Sequence, residues 1–182
     1  DPGPQAVSRR RAITLIAIAA MTVTTLIGMG WLGGIRLNLT PSYPLGLWRI
    51  EALDRAAAVG ELVFICPPDT PPFRLARERG YLRRGLCPGW LSPLIKTVAA
   101  IEGQRVDIGA GVAIDGRLLA HSRLHAADAK GRALAPFAGG IVPPAHLFLR
   151  SDFAGSYDSR YFGPIPGTGL LGRARPVLTF DP

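Results

Sequence analysis

The chain has 182 residues, enough for one membrane segment plus one domain with its own core, or for one larger soluble domain. Its formal net charge is +8, and all but two of its 21 basic residues are arginines, which are scattered along the chain. No stretch interleaves arginines with aromatic residues, and no zinc, helix-turn-helix or RNA-binding signature occurs, so the charge does not predict a nucleic-acid partner. The mean hydropathy is positive, at +0.22, and the apolar excess is local, which favours a membrane segment.

The N-terminal part of the sequence is typical of a membrane anchor. Three arginines at positions 9–11 precede an uncharged run that extends to Ile35. As a helix, this run would be roughly 36 Å long, which is sufficient to cross a bilayer with some tilt. We therefore expect residues 1–11 to form a basic cytoplasmic N-terminus, residues 12–35 a transmembrane signal-anchor, and residues 36–182 a domain on the far side of the membrane.

A cleavable signal peptide is the alternative for this N-terminal segment. Its small-residue cleavage site would be Ala17–Ala20. The apolar run continues well past that point, up to Ile35. An uncleaved anchor is therefore favoured.

A serine held between two prolines follows the apolar run. Pro41 and Pro44 fix their own φ and disfavour the helical region for the residue before each, so Ser42 is expected to lie in stiff, extended backbone. Ser42 is seven residues beyond Ile35, at most about 24 Å of extended chain, and therefore lies close to the membrane surface. A stiff backbone can aim a hydroxyl, which makes Ser42 a candidate nucleophile. An ordinary proline-rich turn after a membrane helix is the alternative.

Beyond Ser42 the sequence predicts short strands and turns. Residues 67–94 are expected to leave the sheet, with a short helix over Phe73–Gly80 that a glycine ends. With 22 Gly, 17 Pro and no βαβ rhythm, the fold class is predicted to be mainly β: an antiparallel, barrel-like domain preceded by one N-terminal transmembrane helix. The strand candidates are Leu47–Ile50, Glu61–Ile65, Ile95–Ile101, Gln104–Ile108, a hairpin over Val112–Leu119 with an Asp-Gly turn, Leu147–Leu149 and Gly169–Leu178.

Cys66 and Cys87 are the only cysteines, and they flank the predicted short helix. On the outer side of a membrane such a pair can be oxidised, and closing this loop would stabilise the fold by about 3 kcal/mol in the chain-entropy model. Two reduced, buried thiols are the alternative. A metal site is not expected either: His121, His125 and His146 are the only histidines, and His121 with His125 lacks the glutamate of a zinc-protease helix.

Lys96 is the candidate general base for Ser42, since none of the three histidines lies in a recognisable triad context. Strand alternation would place Lys96 on a face shared with Leu94 and Val98. Apolar neighbours would lower the pKa of the lysine and leave a neutral amine that can accept a proton, which an arginine cannot do. A lysine that extends its ammonium to the strand edge is the alternative.

Four segments resemble, in order, the conserved boxes of type I signal peptidases, which are membrane-anchored Ser-Lys proteases. The match covers most of residues 36–178. The spacing Asn38-x-Thr40-x-Ser42-x-Pro44-x-Gly46, with the two cysteine segments, is most similar to the TraF branch, the conjugative-transfer peptidases that mature pilin precursors. The matching segments are Ser42 with Pro44 and Gly46, Ile95–Gly103, Ser156–Pro164 and Gly172–Ala174.

The resemblance implies a role for each residue of these boxes. Ser42 would be the nucleophile and Lys96 the general base. Thr40 would donate its hydroxyl to the oxyanion beside the Ser42 backbone N–H, and Ser156 would orient the lysine amine. No metal or cofactor would take part.

Asp158 has two interpretations under this resemblance. It could form a structural pair with Arg160 that holds the late box together. Alternatively, Asp158 belongs to the active site, as in family members that join the new C-terminus of a pilin to its own N-terminus. Pro44, Gly46 and Arg160 are expected to be structural residues near the site.

The resemblance also implies a location and partners. The protein would cross the bacterial inner membrane once, with its N-terminus in the cytoplasm and its catalytic domain in the periplasm. Its partners would be membrane lipid, a propilin or other exported precursor, and the conjugative transfer machinery, without nucleic acid. Two other classes remain open at this point: a non-catalytic, membrane-anchored β-domain that binds a secretion or conjugation partner, and a soluble nucleic-acid binder.

Overall fold

The computed structural model describes residues 4–181, and the chain divides into two compact units, one up to Arg36 and one from Leu37 onward. The first unit contains helix α1 (Pro4–Leu32). Its part from Arg9 to Leu32 is 24 residues long with a mean hydropathy of 2.1, long and apolar enough to cross a membrane.

Helix α1 ends three residues before the predicted end of the membrane segment. Gly33 and Gly34 follow Leu32, and Gly34 has a φ of 79°, which an L-residue rarely adopts. The Gly33 N–H donates to the Met29 carbonyl at 2.8 Å and closes the last turn. Ile35, predicted as the end of the anchor, instead begins a strand.

Strands dominate the rest of the chain. Those that the structure describes are β1 (Ile35–Asn38), β2 (Leu45–Glu51), β3 (Leu62–Ile65), β4 (Arg84–Cys87), β5 (Leu94–Ile101), β6 (Arg105–Ile108), β7 (Val112–Ile114), β8 (Arg117–Leu118), β9 (Gly140–Ile141), β10 (His146–Arg150), β11 (Ile165–Pro166) and β12 (Leu170–Phe180). Helices α2 (Pro71–Glu78) and α3 (Ser159–Phe162) and 3₁₀ turns at Pro88–Trp90 and Gly167–Gly169 complete the described elements.

The strands form two sheets. The larger sheet has the order β1-β2-β12-β3-β5-β10-β11, and the smaller has the order β8-β7-β6-β9. The described pairings from β2 through to β11 are all antiparallel. The mainly β fold class is thus confirmed, with 34% of residues in strands against 24% in helices, although the sheets are open rather than closed into a barrel.

Strand β5 is an interior strand of the larger sheet, between β3 and β10. From Leu94 to Val98 its side chains alternate between two core clusters: Leu94 and Val98 belong to one, and Ile95 to another. Ala100 belongs to a third cluster. The predicted period of two therefore holds over the first half of the strand, and it places Lys96 on the same face as Leu94 and Val98.

Residues 67–93 lie outside the larger sheet, whereas Leu94, the last residue of the predicted segment, begins β5. Helix α2 begins at Pro71, where the missing N–H costs no hydrogen bond, and buries Phe73 and Ala76 against the core. The Phe73 ring lies 4.6 Å from the ring of Phe162 on α3, measured between centroids. Cys66 and Cys87 are joined by a disulfide that closes a loop containing α2.

Candidate active site

The hydroxyl of Ser156 lies between Ser42 and Lys96. Ser42 is half-buried in the turn between β1 and β2, not in the extended backbone that the sequence predicts. Its Oγ donates to the Ser156 Oγ at 3.2 Å. Lys96 Nζ donates to the same Ser156 Oγ at 2.5 Å. The structure therefore brings Ser42, Lys96 and Ser156 into one hydrogen-bonded chain, in which Ser156 is the shared member.

Lys96 is buried, with 3% of its surface exposed, despite its charge. Burial lowers the pKa of Lys96 to about 8, the carboxylate of Asp158 opposes this effect, and the Arg160 guanidinium reinforces it. Compared with a pKa of 10.5, the neutral fraction of the amine at pH 7 is larger by about 300-fold. A proton acceptor is thereby available at this site.

Two side chains without an assigned role fix the Ser42 turn to the larger sheet. Ser151 Oγ donates to the Ser42 carbonyl at 2.6 Å. The Tyr43 hydroxyl lies 2.7 Å from Thr97 Oγ1 and donates to the Arg150 carbonyl at 3.1 Å. Burial raises the pKa of Tyr43, which keeps the phenol protonated as that donor. No periodicity marks Ser151 or Tyr43 in the sequence, because each acts on residues more than 50 positions away.

The Thr40 hydroxyl lies in the same turn but is already engaged. It donates to Asn38 Oδ1 at 2.7 Å. The Ser42 backbone N–H, in contrast, donates to no acceptor among residues 4–181. Of the two expected oxyanion donors, one is free in this structure and the other is held by Asn38.

Asp158 and Arg160 form a fully buried ion pair, with an Nε to Oδ1 distance of 2.8 Å. The Asp158 carboxylate also accepts the backbone N–H groups of Ser151 and Arg160. Arg160 in turn donates to the carbonyls of Ser156 and Arg123. The pair thus holds the loop that carries Ser151 and Ser156, and the described hydrogen bonds of Asp158 do not include Ser42 or Lys96.

Pro44 and Gly46 shape the end of the turn where β2 begins. The Pro44 carbonyl accepts the indole N–H of Trp48 at 3.0 Å. Gly46 has a φ of 124°, and a Cβ at this position would overlap the Leu178 carbonyl on the neighbouring strand β12. Only glycine fits there, since both the backbone conformation and the close strand exclude a side chain.

The site therefore consists of a serine and a buried lysine joined by a second serine on an antiparallel sheet. Independently of this geometry, the chain matches a known protein family. Residues 9–179 match the model of the signal peptidase family, peptidase S26. The chain belongs to this family and is a serine peptidase of the signal-peptidase type.

The similar proteins are conjugation proteins. The chain is 57% identical over 175 residues to the conjugal transfer protein TraF of Agrobacterium fabrum, covering 96% of this chain and 99% of the relative. It is 60% identical over 173 residues to the conjugal transfer protein TraF of Agrobacterium tumefaciens, covering 95% and 98%. A plasmid transfer protein TraF of Escherichia coli is 38% identical over 176 residues, covering 94% and 98%. The predicted resemblance is thus confirmed at the level of family and branch.

Proposed function

We propose that the protein is a membrane-anchored serine endopeptidase in which Ser42 is the nucleophile and Lys96 the general base. The observation that carries this proposal is the continuous hydrogen-bonded chain from Ser42 through Ser156 to the buried Lys96. A serine hydroxyl is a weak nucleophile until a nearby base removes its proton. Burial of Lys96 supplies that base near neutral pH.

The proposed reaction has two steps. The Ser42 Oγ attacks the scissile carbonyl carbon, and its proton passes to Lys96, with Ser156 bridging the two groups. The Ser42 N–H and the Thr40 hydroxyl stabilise the negative oxygen that forms. Lys96 then returns the proton to the leaving amine, which departs and leaves an acyl-enzyme. A water or a second amine then attacks the acyl carbon and gives a proton to Lys96, and Lys96 returns a proton to the Ser42 Oγ as the ester bond breaks.

The proposed substrate is a pilin precursor or a similar exported protein for conjugative transfer. The names of the relatives, which are conjugal and plasmid transfer proteins, support this class of substrate and a partnership with the transfer machinery. The acyl-enzyme could end in hydrolysis or in attack by the N-terminal amine of the same pilin, which would join its ends. Asp158, which accepts four hydrogen bonds from its own loop, is best placed to support the site indirectly in either case.

Mass spectrometry of the product distinguishes these outcomes. We expect the detergent-solubilised protein to cleave a purified pilin precursor, and a head-to-tail product to be lighter by one water than the linear mature pilin. A linear product alone would exclude joining but keep the peptidase. An unchanged precursor mass after incubation with folded protein would contradict the peptidase itself.

We further propose that α1 crosses the bacterial inner membrane, with residues 1–11 in the cytoplasm and residues 36–182 in the periplasm.

An oxidising periplasm would maintain the disulfide between Cys66 and Cys87. Thiol labelling of the denatured protein without reductant is therefore expected to find no free thiol. A double Cys→Ser variant should lose about 3 kcal/mol of unfolding free energy, and its activity should fall mainly through that loss. Two labelled thiols in protein taken directly from the membrane would contradict the periplasmic placement.

A further inference from the structure

We propose that Asn38 is a positioning residue for the turn that carries Ser42. It also binds the Thr40 hydroxyl before the reaction, and this hydroxyl rotates to the oxyanion when negative charge develops there. Asn38 is the only asparagine of the chain, and 8% of its surface is exposed. The inference rests on the proposed function, in which Ser42 attacks and Thr40 donates to the oxyanion.

The amide nitrogen of Asn38 connects both sides of the Ser42 turn. Its Nδ2 lies 3.0 Å from each of three backbone carbonyls, those of Thr40, Tyr43 and Pro44. The first carbonyl precedes Ser42 in the chain and the other two follow it. With only two hydrogens, the amide shares one of them between carbonyls. A single buried side chain thus sets the width of the turn that presents the Ser42 Oγ.

The amide oxygen of Asn38 holds the other partner, Thr40. Oδ1 accepts the Thr40 backbone N–H at 3.1 Å, an Asx turn, and the Thr40 hydroxyl at 2.7 Å. The opposite amide orientation would point N–H groups at the Thr40 N–H and an oxygen at three carbonyls. The network therefore fixes the orientation, and the hydroxyl is the donor because Oδ1 carries no proton.

Because Asn38 Oδ1 accepts two hydrogen bonds, the Thr40 hydroxyl can change its acceptor with little loss of free energy. When the Thr40 hydroxyl turns towards an oxyanion, Oδ1 retains the Thr40 backbone N–H and is not left unsatisfied. The hydroxyl leaves a neutral acceptor for a charged one, to which hydrogen bonds are about twice as strong. The stronger hydrogen bond forms only while the substrate oxygen carries negative charge, so it raises kcat rather than substrate affinity.

Kinetics of Asn38→Ala on a pilin precursor that the wild-type protein cleaves test the positioning role. We expect kcat to fall by about 100-fold, with KM within about threefold of wild type, because a displaced nucleophile slows the reaction without loosening remote substrate contacts. The acid limb of the pH profile should not move, since Asn38 does not contact Lys96. The matched control is Gln104→Ala, which removes another amide that bridges a turn, between the Ile101 N–H and Asp115 near the smaller sheet. That variant should melt earlier but keep its kcat.

A double-mutant cycle tests the link to Thr40. Thr40→Val removes the hydroxyl at nearly constant volume and should lower kcat by about 100-fold or more, as loss of an oxyanion donor does. Combined with Asn38→Ala, the loss should be smaller than the product of the two single losses, because part of the Asn38→Ala loss acts through the Thr40 hydroxyl. Losses that multiply would overturn the holding role.

Two further measurements keep the outcomes separate. Asn38→Asp preserves the volume and the acceptor but removes both amide hydrogens, so it should also lose kcat. A wild-type kcat in either folded Asn38 variant, or unfolding of both variants, would overturn the positioning role. Ser42→Ala is assayed beside them: if it is inactive while the Asn38 variants are fully active, this inference alone fails, and if it is active, the proposed peptidase mechanism fails with it.

Discussion

Ser42→Ala is expected to give a folded protein that processes a pilin precursor roughly a million-fold more slowly than wild type, the loss typical of removing a nucleophilic serine. The fold should persist because the Ser42 Oγ makes one described hydrogen bond, to Ser156, and such a bond contributes about 1 kcal/mol to stability. The hydrogen bonds that fix the Ser42 turn to the larger sheet do not involve the Ser42 hydroxyl. Ser151 binds the Ser42 carbonyl, which the alanine variant keeps.

Ser122→Ala is the matched control for this substitution. Ser122 is also buried, with its Oγ bonded to the Val112 N–H and the Leu119 carbonyl near the smaller sheet. It should lower the melting temperature more than Ser42→Ala does and leave the rate of processing unchanged. Circular dichroism checks the fold, and time courses of precursor mass give the rate. Cleavage by folded Ser42→Ala at the wild-type rate would remove the nucleophile from the mechanism.

Local sequence patterns predicted the central part of the fold. The period of two along β5 placed Lys96 among apolar side chains, and the Asp115–Gly116 pair predicted the turn between β7 and β8, where both residues have positive φ. The strands without a prediction are β1, β4, β9 and β11, each two to four residues long. Segments this short contain too few residues to show a period, and their pairing depends on distant partners.

The candidate site could be predicted only where a residue type is chemically unusual for its place. Lys96 stands out because it interrupts an apolar strand, and Ser42 because two prolines flank it. Ser151 and Tyr43 have no such signal, since their contacts cross 109 and 54 positions of the chain. The hydrogen bond from the Thr40 hydroxyl to Asn38 also depends on a side-chain rotamer, which sequence spacing does not determine.

The ion pair of Asp158 and Arg160 explains how an acidic residue can lie near the proposed base without disabling it. Asp158 alone would raise the pKa of Lys96 and keep the amine protonated. Arg160 counters that effect and, with backbone N–H groups, satisfies the buried carboxylate. The pair therefore keeps the Ser156 loop in place while burial remains the dominant influence on Lys96.

Lys96→Arg is expected to lower processing by about 100- to 10,000-fold, the usual worth of a general base. The guanidinium keeps the charge but cannot be deprotonated in a protein, so it cannot accept the Ser42 proton. In the wild-type protein, kcat/KM should rise with pH through about 8, because only the neutral amine of Lys96 is active. Below that pH it should fall by about tenfold for each further pH unit.

Two comparison variants separate the base from the fold. Lys130→Arg changes the only other lysine, which is exposed in a turn, and should keep both the rate and the pH profile.

Lys96→Met removes the base together with the buried ammonium, and should be inactive yet at least as stable as wild type at pH 7. Because folding lowers the pKa of Lys96 from 10.5 to about 8, wild-type stability contains a penalty that is complete below pH 8 and disappears as the pH rises to 10.5. The methionine variant should lack this dependence in pH-resolved melting curves. If folded Lys96→Arg retained wild-type kinetics with the same acid limb, the pH dependence would belong to another group and Lys96 could not be the base.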